Sequence, residues 1–324
     1  MEKLNFLLIR FSSLGDVILT TSVVRNIKNN NPYNKVVILT KEQYNPVFLN
    51  NPGVDKIINN VDRSIKYDFI IDLHDNIRSG LKKYLIPAKK RMTYNSAAFA
   101  RRAYLHTGKR EKILNKNIIQ RYLEPLEKIG YITQYVSPEI FLTKDENRKA
   151  KSMAGENYIA IAPGAKWKTK RWPAENYIEL VIKIIKEFNL NIVILGDKSD
   201  KELTDAILKG VGLLKSHIVN LAGKTNIREA AAVIRNSRVV LSSDSAPMHL
   251  GWAVGARIIA LFGPTVKEFG FQPEDEKVMI LEKDMKCRPC SLHGSNKCKF
   301  NDQACMQRIE VYEVIDALKK SLQE

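Results

Sequence analysis

The stretch Val239–Thr265, VVLSSDSAPMHLGWAVGARIIALFGPT, decides the fold. It reads as a hydrophobic strand, a short polar turn, a helix of small residues and a second hydrophobic strand, closed by Gly263-Pro264-Thr265. Asp244, Ser245 and His249 fall where the first strand ends and the helix begins. A helix start offers backbone N–H groups and a partial positive charge, which suits a ligand bearing phosphates. In an open α/β sheet, ligands gather at the carboxyl ends of the strands. The turn is therefore a candidate binding site.

Outward from this unit the same grammar repeats. Leu4–Ile9, Lys35–Thr40, Val54–Ile58 and Asp68–Leu73 read as strands. Asp16–Asn30, Ile77–Leu85 and Ile118–Ile129 carry helical spacing. From Thr143 to Asn157 the chain is polar and without apolar periodicity, and reads as a linker. The pattern restarts with strand Tyr158–Ala162, helix Ala174–Phe188, strand Asn191–Leu195, helix Lys198–Lys209, strand Ile218–Leu221 and helix Asn226–Asn236. Tyr312–Leu322 reads as a terminal amphipathic helix. Strands alternating with helices predict an α/β protein with parallel sheets covered on both faces. Its expected form is two Rossmann-like domains, residues 1–150 and 151–324, facing across a cleft.

Bulk properties narrow the function. Of the 324 residues 44% are hydrophobic, which argues against disorder. No apolar run approaches the roughly 18 residues of a membrane span. The opening MEKLNFLLIRFSS reads as a first strand and not a signal peptide, so a cytoplasmic protein is expected. Fifty-two Lys and Arg against 35 Asp and Glu leave a net charge of +17. That excess favours an acidic partner, although a Lys-, Ile- and Asn-rich composition accounts for part of it. No nucleic-acid-binding signature is present, so no nucleic-acid partner is expected.

Three further loops carry chemistry. Arg10-Phe11-Ser12-Ser13-Leu14-Gly15-Asp16 follows the first strand. Its Ser residues can cap the next helix, and Asp16 suits either simple N-capping or proton abstraction from a substrate hydroxyl. Pro163–Pro173, PGAKWKTKRWP, brings four cations and two indoles together, as a phosphate clamp with apolar walls would. Gly196-Asp197-Lys198-Ser199-Asp200 ends another strand with carboxylates, where ribose hydroxyls are commonly held.

RFSSLGDV, GAKWKTKRWP and SSDSAPMHLGWAVG…ALFGPT, in this order, resemble the heptosyltransferases of lipopolysaccharide core assembly, glycosyltransferase family 9. These are inverting GT-B enzymes that use ADP-heptose. The resemblance implies that Asp16 is the catalytic base and that Lys170 pairs with the donor diphosphate, with Lys166 helping to stabilise the leaving ADP. Asp200 stands where the family has an acid against the ribose. Asp244, Ser245 and His249 match the donor motif, in which Ala246 replaces a usual Gly. Asp72-Leu73-His74 with Arg78 resembles an acceptor segment, His74 replacing a usual Gln. Ser12 and Ser13 join it on the acceptor side. Implied partners are ADP-heptose, a lipid-linked core acceptor (lipid A–Kdo or heptosyl-Kdo) and the inner-membrane surface. No catalytic cofactor is implied. Another nucleotide sugar, or a protein acceptor as in autotransporter heptosyltransferases, is the alternative.

The four cysteines, Cys287, Cys290, Cys298 and Cys305, cluster in one polar loop. In a cytoplasmic protein a CxxC pair among four clustered thiols points to metal before disulfide. A structural zinc or iron site, two disulfides, or four free thiols remain open from spacing. No catalytic role is expected.

Overall fold

The apolar runs of the first half become strands because a parallel strand buried on both faces needs apolar residues at every position. They are β1 (Asn5–Ile9), β2 (Lys35–Leu39), β3 (Lys56–Ile58) and β4 (Tyr67–Asp72), joined at one edge by the polar strand β5 (Ala88–Thr93). All pair in parallel, in the order β3-β2-β1-β4-β5. Leu7 lies beside Val37 on one side and Ile70 on the other, at the centre of the core. The second half gives β6 (Tyr158–Ala162), β7 (Asn191–Ile194), β8 (Ile218–Asn220), β9 (Val240–Ser243), β10 (Ile258–Phe262) and β11 (Val278–Glu282). Their order is β11-β10-β9-β6-β7-β8, again all parallel. This is the doubly wound arrangement expected from the sequence.

The computed structural model describes residues 2–323. The chain divides into one unit of residues 1–104 and 109–141 and a second of 105–108 and 142–324. Strand order reverses between β1 and β4 in the first sheet and between β6 and β9 in the second. Loops leaving those strands are the places where such sheets bind ligands. They carry Asp16, Asp72, Lys170 and Asp244.

Several expectations need correction. The polar stretch taken as a linker contains a helix, Lys144–Ala154, with Thr143 as its N-cap. It belongs to the second unit, so the division falls at 141/142 and not at 150/151. Its apolar contacts are few because ion pairs do the docking: Glu146 takes Arg228 through both oxygens, and Lys149 meets Glu229 at 2.6 Å. The helix read as Asp16–Asn30 is two, Leu14–Leu19 and Thr21–Asn30, meeting at Thr20. There the Thr20 hydroxyl donates to the Val17 carbonyl at 2.6 Å, a bond that competes with the regular helix. Strands β5 and β11 were not anticipated. Both are edge strands, and β5, AKKRMT, carries the cations that keep an edge from pairing with another chain.

The Glu146–Arg228 pair makes this helix acid-sensitive. Hydrogen bonding to Arg228, opposed by burial and aided by Thr143, lowers the Glu146 pKa to about 2. A depressed carboxylate stabilises the fold above its unfolded pKa of about 4.3, and this is lost as pH falls towards about 2. Solvent screening of this partly exposed pair holds the contribution to on the order of 1 kcal/mol. Urea midpoints measured from pH 5 to 2.5 should therefore fall less steeply in Glu146→Gln than in the unaltered protein.

Candidate active site

In the first unit, β1 delivers Arg10 and the loop to Ser13, and the next helix begins with Asp16 in its first turn. Asp16 is gripped on both oxygens. Oδ2 accepts from the Ser13 amide at 3.0 Å and the Ser13 hydroxyl at 2.6 Å. Oδ1 meets Arg10 Nη2 at 2.7 Å and the Tyr122 hydroxyl at 3.4 Å. Arg10 is fixed in turn by the Ser12 carbonyl at 2.7 Å and the Leu73 carbonyl. Burial works against the Arg10 charge, but Asp16, Tyr122 and Tyr94 outweigh it and raise its pKa. Tyr94 and Tyr122 meet edge to face, with centroids 4.8 Å apart. Burial raises the pKa of both phenols, so both are neutral donors near pH 7.

Asp16 thus does the capping expected of a first-turn carboxylate, and it also pairs with a buried arginine. Arg10, Arg101 and Arg121 are all buried. Burial lowers the Arg101 pKa, and burial together with Arg101 brings Arg121 down to about 10. Arg101 is therefore a buried cation and not a solvated surface one. Arg10 and Arg101 both feel the Asp16 charge, whereas the carboxylate acting on Arg121 is that of Glu124.

The neighbouring turn, at the end of β4, is built differently. Asp72 is 1% exposed. Its Oδ1 accepts from the His74 and Asp75 amides at 2.9 and 3.2 Å, and Oδ2 from the Ser79 hydroxyl at 2.8 Å. It shapes its own turn and does not present itself to an acceptor, which corrects the expectation. His74 packs edge to face on Phe11 at 5.6 Å, and burial followed by Arg10 lowers its pKa. Arg78 is exposed in the first turn of helix Ile77–Leu85. Ser12 contributes its carbonyl to Arg10, and Ser13 holds Asp16.

In the second unit, the loop after β6 carries the cations and the loop after β9 carries the donor motif. Lys170 pairs with Asp244, and the Thr265 hydroxyl donates to the same carboxylate at 2.7 Å. Burial pushes the Asp244 pKa up, but Lys170, Thr265 and His249 together bring it below the ordinary value. His249 is buried on helix Ala246–Ala253, whose N-cap is Ser245. The Ser245 hydroxyl makes no capping bond and lies 3.3 Å from that of Ser242. Lys166 and Lys168 are exposed, and neither forms an ion pair among the described residues. Lys166 lies over the Trp167 ring at 5.1 Å. The unmatched positive charge of this loop therefore resides on Lys166 and Lys168, while Lys170 is already neutralised.

A family model, glycosyltransferase family 9 (heptosyltransferase), matches residues 60–300. The chain belongs to this family. Lipopolysaccharide heptosyltransferase 3 of Escherichia coli K12 is 26% identical over 82% of this chain and 84% of its own length. Among solved structures, a family 9 glycosyl transferase from Veillonella parvula matches with a TM-score of 0.82 at 20% identity, covering 100% of this chain and 99% of its own. E. coli ADP-heptose lps heptosyltransferase II matches with a TM-score of 0.80 at 21% identity, covering 98% of each. The expected GT-B class, two parallel-sheet α/β domains, is the fold these structures share with the chain.

Other residues of the transferase's basic loop serve the scaffold. Arg171 donates to the Ala165 carbonyl at 2.9 Å and to Asp200 at 3.2 Å. Asp200 is buried, its second oxygen accepts from the Asp197 amide at 3.0 Å, and burial raises its pKa. Gly164 is required beside it, since a Cβ there would lie 2.1 Å from the Asp200 carboxyl. Trp172 is a core residue: it is buried and donates to the Ile309 carbonyl at 2.9 Å. Only Trp167 remains for an apolar wall.

The cysteine-rich loop braces both donor-side loops. Thr169 bonds Ser295 through backbone and hydroxyl, Gln303 donates to the Arg171 carbonyl at 2.7 Å, and Arg288 to the Thr265 carbonyl at 2.8 Å. The sequence placed this loop beyond the donor motifs and did not show these contacts. All four cysteines are free thiols. Burial, then Cys287 and Cys298, raises the Cys290 pKa, and burial with Cys290 raises that of Cys305 to about 11. The thiols feel one another, yet among the described residues no three His, Cys, Asp or Glu side chains are arranged to hold a metal ion.

Proposed function

We propose that this glycosyltransferase moves heptose from ADP-heptose to the lipopolysaccharide inner core, with inversion at the anomeric carbon. The observation that carries the reading is the Asp16 carboxylate, fixed in direction by Ser13 and the buried Arg10. Asp16 takes the proton of the acceptor hydroxyl, the oxygen forms its bond to the anomeric carbon, and the bond to the ADP oxygen breaks. Arg101, near the Asp16 charge, suits a carboxylate or phosphate of a Kdo-bearing acceptor. On the donor side Lys166, Lys168 and the start of helix Ala246–Ala253 meet the charge that develops on the leaving diphosphate. Lys170 contributes position more than net charge, because Asp244 already balances it. The relative's lipopolysaccharide heptosyltransferase activity supports the acceptor class, and the ADP-heptose named for the E. coli structure supports the donor.

A lipid-linked acceptor supports a peripheral location on the cytoplasmic face of the inner membrane. Among the described residues no helix is long and apolar enough to cross a bilayer. ADP release that requires both ADP-heptose and a lipid-linked Kdo acceptor tests the activity. UDP or GDP competing better than ADP for the donor site overturns the donor assignment.

The same reading gives the four thiols a structural zinc or iron ion, on the chemistry of the donor set alone. Their placement does not itself form a coordination sphere. About one ion per chain by elemental analysis, lost in Cys287→Ser, supports this assignment. A metal-free native protein removes it.

A further inference from the structure

Helix Ile77–Leu85 is built inside out. Its buried positions are Ser79 and Lys83. Ser79 donates to Asp72, and Lys83 bonds the Thr93 hydroxyl. Its apolar residues recur at i, i+4, i+7 and i+8 and point outward: Ile77 is 85% exposed, Leu81 65%, Tyr84 73% and Leu85 49%. Phe99, at the start of helix Ala98–Thr107, is 80% exposed as well. Of the eleven large hydrophobic residues exposed among the described residues, five lie in this short segment. A helix normally turns its apolar stripe to the core, and a contiguous exposed patch marks a surface that something else covers.

The charge says what covers it. From Ile77 to Arg110 the chain has ten Lys and Arg and no Asp or Glu. The excess of +17 is thus concentrated here and is not only a matter of composition. Arg78, Lys90 and Arg102 are exposed with no carboxylate partner among the described residues, whereas Lys89 is answered by Asp68 at 2.8 Å. We propose that helix Ile77–Leu85 forms a docking face for an anionic lipid bilayer, with Ile77, Leu81, Tyr84 and Leu85 entering the headgroup boundary and neighbouring cations of the segment meeting lipid phosphates. An outward apolar stripe rimmed by Lys and Arg is the arrangement of a helix that lies in a membrane interface. A tyrosine suits that depth because its ring is apolar and its hydroxyl wet. Each nearby cation adds attraction to an anionic leaflet that salt weakens. The inference deepens the peripheral location proposed above and rests on it.

Sedimentation with vesicles tests it without donor or acceptor. The protein should bind vesicles of phosphatidylglycerol and phosphatidylethanolamine, bind phosphatidylcholine vesicles weakly, and lose affinity as salt rises. Leu81→Glu/Tyr84→Glu should lower affinity for the anionic vesicles by roughly tenfold or more, with the melting temperature and ADP binding unchanged. Equal binding by the variant, or no binding of the unaltered protein to anionic vesicles, overturns the proposal. So does conversion of a dimer to a monomer by the same variant with no change in vesicle binding, since a second copy then covers the face. Absence of heptosyl transfer with vesicle binding intact would sink the proposed reaction and leave this surface standing.

Discussion

Asp16→Asn should lower kcat by about two to four orders of magnitude, the usual contribution of a positioned general base, while leaving donor affinity within about twofold. Asparagine keeps the shape of the side chain, and its oxygen can still accept from the Ser13 amide and hydroxyl that now hold Oδ2. It cannot accept a proton. The donor residues belong to the other unit, so the loss should fall on turnover and not on nucleotide binding. Arg10 also loses its partner. A buried guanidinium deprived of its carboxylate costs about 1–3 kcal/mol, so a modest fall in melting temperature accompanies the lost activity. Calorimetry with ADP and single-turnover kinetics separate the two effects. Full turnover in this variant would remove Asp16 from the chemistry and leave it as a helix cap.

The second large effect is on stability and donor binding together. Lys170 and Asp244 are each about nine-tenths buried and paired. Lys170→Met leaves a buried carboxylate with only Thr265 as its neutral donor, and the expected destabilisation is about 3–5 kcal/mol. Lys170→Met/Asp244→Asn removes the orphaned charge and should recover much of that stability without recovering donor affinity. The sign of the pH dependence distinguishes the two states. In the unaltered protein the Asp244 pKa is depressed, so its stabilisation holds above the unfolded carboxylate value of about 3.9 and fades as pH falls through the lower folded one. In Lys170→Met burial dominates and the folded pKa rises, so the penalty is full near neutral pH and relaxes on acidification. The gap between the two proteins in urea midpoint should therefore be wide at pH 7 and narrower at pH 4.5. A constant gap would mean that Asp244 does not titrate with folding.

The contrast between what was legible and what was not follows distance along the chain. β1, β6 and β10 stood out because strands covered on both faces are unbroken apolar runs, while β5 escaped because an exposed edge favours lysine. Asp16 and Asp244 were found because each sits at a strand-to-helix joint, a feature a dozen residues wide. Tyr122 was invisible, since 106 residues separate it from the carboxylate it touches. Asp72 and Trp172 were misjudged for another reason. A carboxylate at a strand end looks the same whether it faces a ligand or closes its own turn, and an indole in a basic loop looks the same as wall or core. Helix Ile77–Leu85 shows the same blind spot: periodicity reveals a stripe, not the side on which it lies.

The thiol-rich segment is tied to the Thr169 amide and hydroxyl and to the Arg171 and Thr265 carbonyls. Whatever reshapes that segment, an oxidant linking two sulfurs or a chelator, therefore tugs on the neighbours of Lys170 and Asp244. Two preparations of one protein, handled in air and under reductant, would then part company in their Michaelis constant for the nucleotide sugar while agreeing in every property of the N-terminal half. Apparent substrate affinity would double as a gauge of how the sample was stored.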